Sequence, residues 1–348
     1  MNDPAMWSRG RLEAVPHCPA CGSVRRDPHK FARRDNEGMM PDVWCVVRCA
    51  DCGSLWLDPR PDSESLPRAY DDYYTHVVVS EDVPDSGATG LAWRLIRGYL
   101  NRRFGMQRKP ANALGYAIFS SIEPWRLKLD YYGRHLTRAN FPNPGTLLDI
   151  GCGNGAFLGR AAEMGWNVHG CEPDAKAVSA CRQLGLDVVQ GDAFDSSLDG
   201  REFDVITLSH VIEHVVDAPS LLRRIVTLLR PGGRLWMALP NPGSIGMRVL
   251  GSSWLELHPP YHLCIPSQSV VCDWLAAVGF LNVEFIRRGA HAGRRWMRAC
   301  DIATRESLPF PSSGRLLAWR LAADGLATLS AGSSEETVVI ASKPRNKA

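Results

Sequence analysis

Between residues 141 and 290 short apolar runs alternate with amphipathic stretches. Thr146–Ile150, Asn167–Cys171, Asp187–Gln190, Phe203–Leu208 and Arg234–Leu239 read as strands, being rich in Val, Ile and Leu and bounded by Gly, Pro, Asn or Asp. Ala156–Met164 and Pro219–Leu229 carry apolar residues at helical spacing, and the second of these predicts a helix stopped by Arg230-Pro231-Gly232-Gly233. Asn282–Ile286 and Thr337–Ala341 supply two late strands. Strands alternating with helices predict βαβ units, hence a mostly parallel sheet with helices on both faces. The flanks differ in texture. Residues 1–60 are rich in Cys, Pro and Arg, 61–140 read as a basic helical connector, and 291–348 as an irregular insert, a helical stretch and a final strand.

The segment LLDIGCGNGAF places Asp149, Gly151, Gly153 and Gly155 where the first strand turns into a helix. Glycines there permit a sharp turn and let a ligand approach the main chain. Gly151, Gly153 and Ala156 also satisfy the dinucleotide fingerprint, and Glu172, at the end of the second strand, could hold two ribose hydroxyls for either ligand. Asp149 separates the two. A carboxylate beside this turn repels a pyrophosphate but suits the ammonium and sulfonium of S-adenosylmethionine (SAM). Asp192, after the third strand, suits the adenine amino group.

Taken in order, LLDIGCGNGAFL, VHGCEPD, QGDAFD, FDVITLSHVIEHVVD and LLRPGGRLWMALPNPGS resemble the class I SAM-dependent methyltransferases of the ubiquinone-biosynthesis-like type, over about residues 145–290. The resemblance implies an α/β fold: the class I, Rossmann-like seven-stranded sheet with its last strand antiparallel, in a catalytic domain spanning residues 141–348. It also implies SAM contacts at Asp149, Gly151, Gly153, Glu172, Asp192 and Ala193, near Ser209 and His210, with Asn154, Gly155 and Pro173 in the same loops.

Cys18-Pro-Ala-Cys21-Gly and Cys49-Ala-Asp-Cys52-Gly are two C-x₂-C knuckles, which predict a tetrahedral Cys₄ zinc site within residues 1–60. The interval between them exceeds the usual spacing of roughly 15–20 residues, leaving room for a hairpin. A redox C-x-x-C is the rival, and the duplicated knuckle argues against it. Cys45, between Trp44 and Val46, reads as buried. The run CADCGSLWLDPRP…Y, closing at Tyr70 and followed by Tyr73-Tyr74, resembles the zinc-ribbon prefix of many bacterial methyltransferases of sugar and secondary-metabolite pathways.

Methyl transfer from a sulfonium needs alignment above all, and a general base only where the acceptor must lose a proton. His210 and His214 follow the fourth strand; His258, Tyr261 and His262 follow the fifth, with Pro259-Pro260 predicting a rigid extended loop. His258 and His262 are the leading base candidates, ahead of His210 and His214. The Asn/Asp-Pro-Pro-aromatic motif of amide-nitrogen methyltransferases is missing after the fourth strand, which reads SHVIEH, and there is no Pro-Cys dipeptide. An oxygen or carbon acceptor on a small molecule or glycan follows.

Residues 91–140 hold ten Lys/Arg against Glu123 and Asp130, with aromatics interleaved. This stretch is expected to be a lid with inward aromatics and outward arginines, able to attract an anionic acceptor or to touch a membrane surface. An RNA methyltransferase using ribbon and connector, and a non-catalytic SAM-binding protein, are the rival functions. A net charge of +3 counts against RNA, and the intact glycine turn against the second rival. The opening residues lack the apolar core of a secretory signal and no run is long enough to span a bilayer. Cys171, Cys181 and Cys272 fall within predicted elements, so a disulfide framework is not expected and a reducing cytoplasm is.

Overall fold

The computed structural model describes residues 6–70 and 90–345; the Tyr73-Tyr74 pair lies outside them. The N-terminal strands are β1 (Met6–Trp7), β2 (Gly10–Glu13), β3 (Arg26–Arg33), β4 (Trp44–Cys49), β5 (Leu55–Leu57) and β6 (Arg60–Pro61). Three helices follow, α1 (Leu91–Phe104), α2 (Leu114–Ser121) and α3 (Glu123–Tyr132). The main domain runs β7 (Thr146–Ile150), α4 (Ala156–Glu163), β8 (Asn167–Glu172), α5 (Ala175–Gln183), β9 (Asp187–Gln190), β10 (Phe203–Ser209), α6 (Ala218–Leu228) and β11 (Leu229–Pro240). Then come α7 (Ile245–Leu250), β12 (Cys264–Ile265), α8 (Gln268–Ala277), β13 (Leu281–Ile286), α9 (Ala292–Glu306), α10 (Ser313–Leu329) and β14 (Glu336–Ser342).

Seven strands form one sheet in the order β13-β14-β11-β10-β7-β8-β9. β7 pairs in parallel with β8 and β10, and β14 lies antiparallel between β11 and β13. The seven strands expected from the sequence are all present, most within a residue or so of their predicted ends. The exception is β11, which begins at Leu229, where the Arg230–Gly233 segment was expected to be a breaker. Leu229 already pairs with Phe203, and the register then shifts before Val205 meets Arg234. Gly232, at φ +80°, absorbs that irregularity inside the strand.

Each face of the sheet has its own core. On one, Leu221, Leu222, Ile225 and Leu228 of α6 and Val271 and Leu275 of α8 pack on Leu148, Ile206 and Leu208. The α6 spacing delivers that stripe, and Asp217 caps the helix by accepting from Ser220 N at 2.9 Å, a device worth about 1 kcal/mol. On the other face Phe157, Leu158 and Ala161 of α4 meet Tyr99, Leu100 and Phe104 of α1 and Tyr132 of α3. The connector therefore turns most of its aromatics inward, as expected, but leaves Trp125 49% exposed.

The N-terminal segment does not end as a separate module at residue 60. Its sheet has the order β12-β5-β4-β3, so a strand from residues 264–265 completes it. Trp44, Leu55 and Leu57 share a core with Trp254, Tyr261 and Leu263 and with Trp296 of α9. Trp274 Nε1 in α8 donates to Ala20 O at 3.1 Å. The ribbon is too small to enclose a core unaided, and the loop after β11 closes it.

Candidate functional site

At the carboxyl end of β7 the chain reverses through Gly151, Gly153 and Gly155, all left-handed with φ of +66°, +53° and +77°. A β-carbon on Gly151 would lie 2.6 Å from Val211 Cγ2, whereas one on Gly153 would meet nothing within 4 Å. Space in front of Gly153 is therefore open to a ligand. Gly151 N and Cys152 N donate to Cys171 O at 2.9 and 3.2 Å, tying the turn to β8. Asn154 Oδ1 accepts from Ala156 N at 3.1 Å.

Glu172 closes β8 and accepts from Gly153 N at 2.9 Å and from Asp174 N at 3.1 Å. Burial raises its pKa above the ordinary carboxylate value. Each oxygen keeps a lone pair for a hydroxyl. Pro173 is exposed beside it. Gly191 N donates to Glu172 O at 3.0 Å, bringing the next loop alongside. There Asp192 is exposed, with Oδ1 accepting from Phe194 N at 2.8 Å, while Ala193 is buried. Ser209 and His210 end β10, both half-buried.

Asp149 departs from expectation. It is buried, and Oδ1 accepts from Thr207 Oγ1 at 2.7 Å and from Arg134 Nη1. The Arg134 guanidinium also lies 3.7 Å from the centroid of Phe157. Asp149 thus anchors the chain after α3 beneath the turn, and only Oδ2, buried without a hydrogen-bond partner among the described residues, is left for a cation. Open main chain at Gly153 and that orphaned oxygen fit the methionine end of SAM, and the carboxylate of Glu172 fits its ribose.

The histidines part company. His210, in the left-handed region at φ +54°, has Nδ1 3.1 Å from Glu213 Oε1 and Nε2 2.7 Å from Glu336 Oε1. Burial opposes its charge, but both carboxylates hold the ring protonated, raising its pKa well above the usual value. A ring that donates from both nitrogens cannot accept a proton, which removes His210 from the bases. Glu336 is itself clamped by Arg288 Nε at 2.6 Å and by Arg295.

His258 and His262 are buried, and burial lowers both pKa values well below the usual one. The loop they occupy is a tight turn, not the expected extended segment, since Tyr261 N and His262 N both donate to His258 O at 3.1 Å. His258 Nε2 faces the ribbon, 3.7 Å from Glu37 Oε2. His262 Nδ1 donates to Glu256 O at 2.7 Å. These contacts make the pair a brace for the loop.

His214 has a different neighbour. Its Nδ1 lies 3.1 Å from the hydroxyl of Tyr70, the last residue of the described segment 6–70. Tyr70 packs edge-on against Tyr261, ring centroids 5.3 Å apart, and its pKa is raised by burial, by Tyr261 and by Glu213 and Glu172. Burial lowers the His214 pKa, so the ring is neutral at pH 7 and able to accept. Tyr70 is the tyrosine that closes the ribbon-prefix run CADCGSLWLDPRP…Y, but nothing in that run pointed to a histidine partner. Glu213, His214 and His262 also bring ligand-type atoms within 4.8 Å of one another. Glu213 Oε1 faces His210 and His214 Nδ1 faces Tyr70, while Glu213 Oε2 is buried without a hydrogen-bond partner among the described residues.

In the ribbon the four expected cysteines converge. All four sulfurs lie within 4.8 Å of one another, with Cys18 to Cys52 at 3.8 Å and Cys21 to Cys49 at 3.6 Å, and none is in a disulfide. Four thiolates at about 2.3 Å from one zinc stand about 3.8 Å apart by tetrahedral geometry, so the set fits. Gly22 and Gly53 take φ of +78° and +74° to close the two knuckles.

Residues 125–284 match a family described as "Methyltransferase domain". The ubiquinone biosynthesis O-methyltransferase of Aeromonas salmonicida (strain A449) is 32% identical over 120 residues, 31% of this chain and 50% of that protein. The nocamycin O-methyltransferase of Saccharothrix syringae is 39% identical over 173 residues, 41% of this chain and 62% of that protein. The chain thus spans about half or a little more of these relatives' length. Among solved structures, a SAM-dependent methyltransferase from Archaeoglobus fulgidus aligns at 18% identity and TM-score 0.41, over 60% of this chain and 94% of that one, a likeness too low to carry an argument.

Proposed function

We propose that this chain is a SAM-dependent methyltransferase that acts on a hydroxyl of a small-molecule or glycan acceptor. The methyltransferase-domain match over residues 125–284, joined to the open glycine turn beside Glu172, supports the donor. SAM supplies an activated methyl group, which moves to the acceptor oxygen as the carbon–sulfur bond breaks. Glu172 binds the ribose hydroxyls, Asp192 the adenine edge, and the Gly153 turn receives the methionine end. The acceptor's proton has to leave as the methyl arrives. Tyr70 and His214 form the relay: the Tyr70 oxygen takes that proton while passing its own to His214 Nδ1. This relay favours oxygen over carbon as the acceptor atom. The two relatives named above are O-methyltransferases by name, in keeping with that choice.

Zinc at Cys18, Cys21, Cys49 and Cys52 is the structural part of the same reading. Among the described residues no helix is long and apolar enough to cross a membrane. Labelled SAM and fractionated small molecules test the activity: label should enter a hydroxyl-bearing acceptor. Binding of S-adenosylhomocysteine (SAH) with no transfer to any fraction would favour a non-catalytic SAM-binding protein.

A further inference from the structure

Two stretches of the helical surface leave large apolar side chains in solvent. Along α2 and into α3, Leu114, Ile118 and Ile122 recur every fourth residue, 65%, 39% and 43% exposed, followed by Trp125. On α10, Leu317, Trp319, Leu321 and Leu329 are 51%, 48%, 58% and 72% exposed. Only Ala323 and Ala327 of that 17-residue helix are buried. Arg287 joins the two stretches, donating to Thr328 O near the end of α10 at 2.9 Å and to Glu123 at the start of α3 at 2.6 Å.

Basic side chains outnumber acidic ones here: Arg126 and Lys128 on α3, Arg315 and Arg320 on α10 and Arg287 between them, against Glu123 and Asp324. Glu123 is held by both Arg126 and Arg287, and Asp324 turns inward to accept from Ala292 N at 2.9 Å. We infer that this face docks on a bilayer surface containing anionic lipid. Leucine and tryptophan enter the headgroup boundary while arginine and lysine meet phosphate, the division of labour of an interfacial helix. A second copy of the chain would instead set arginine against arginine. The face lies on helices outside the glycine turn, and membrane docking is independent of methyl transfer.

Flotation of the full chain with vesicles tests it, using phosphatidylcholine alone and phosphatidylcholine mixed with phosphatidylglycerol. The protein should float only with the anionic vesicles and be released by salt. Arg315→Gln and Arg320→Gln should each lower partition roughly fivefold, and Ile118→Glu with Leu321→Glu should abolish it. These positions are solvent-facing, so thermal unfolding should be unchanged and SAH affinity retained. No flotation at low salt, or equal flotation with both vesicle types, overturns the inference. So does light scattering that shows a dimer which Ile118→Glu with Leu321→Glu takes apart, since the face would then join two copies.

Discussion

The Tyr70 hydroxyl lies 3.1 Å from His214 Nδ1, linking the end of the ribbon segment to the loop after β10. The tight turn at His258 places Tyr261 edge-on against Tyr70, beside this contact. If the pair carries the acceptor's proton, His214→Gln should lower turnover by roughly 10²–10⁴-fold. Tyr70→Phe should do the same, because it cuts the relay at its first oxygen. SAH affinity should barely move in either variant. Because burial lowers the His214 pKa, the acidic limb of kcat should fall below pH 6.5. Near-normal turnover in both variants would move the proton acceptor elsewhere.

His210 makes a different prediction, since it serves the fold as a cation. Its folded pKa is raised well above 6.5, by Glu213 and Glu336 against the opposing effect of burial. A raised pKa contributes stability that is whole below pH 6.5 and fades as pH climbs towards the folded value. Thermal unfolding followed from pH 6 to 9 should show Tm falling in the native protein and a shallower fall in His210→Gln. Parallel curves would mean the ring is not charged in the folded state. Losing the imidazolium should also lower Tm at pH 6, because Glu213 and Glu336 are then buried with one cation fewer.

How much of this was legible beforehand follows from what each residue needs in order to act. Glycines at 151, 153 and 155 act locally, so strand, turn and helix could be read from one segment. Cysteines in two C-x₂-C pairs act at fixed short spacing, and the four sulfurs meet as expected. Asp149, His210 and His214 each depend on a partner from another segment of the chain. Arg134, which takes up Asp149, comes from the connector, and Glu336, whose carboxylate holds His210 protonated, comes from the last strand, 126 residues away. Spacing cannot disclose such pairs. The strand that completes the ribbon's sheet was hidden for the same reason: β12 pairs with β5 across more than two hundred residues.

Glu172 allows the donor site to be checked apart from turnover. Its carboxylate must be ionised to accept from two hydroxyls, and burial raises its pKa above 4.5. SAH affinity should therefore start to fall on acidification while ordinary carboxylates remain charged. Glu172→Gln should weaken binding by about 1.5–3 kcal/mol, the worth of a charge-assisted bond, and should flatten the acid dependence. Calorimetry at several pH values decides this. An unchanged acid slope in Glu172→Gln would mean another group titrates.

The ribbon carries the last prediction. Its knuckles are joined to the loop after β11 by main-chain bonds: Leu57 N donates to Leu263 O at 3.0 Å, and Leu263 N to Glu213 O at 2.8 Å. Ser267 N donates to Ser54 Oγ at 2.9 Å, two residues beyond Cys52. A zinc held by Cys18, Cys21, Cys49 and Cys52 would thus fix β5, β5 would fix Leu263, and Leu263 would fix the residue next to His214. Freshly purified protein should contain one zinc per chain. Chelation should raise amide exchange in the knuckles and also at residues 263–265, and should lower turnover while SAH still binds, because the glycine turn is tied by its main chain to Cys171 of β8 and not to β5 or Leu263. Cys21→Ser should act in the same direction more mildly, since three ligands remain. Exchange confined to the knuckles, with turnover intact, would show that the ribbon folds on its own and leaves the loop to hold itself.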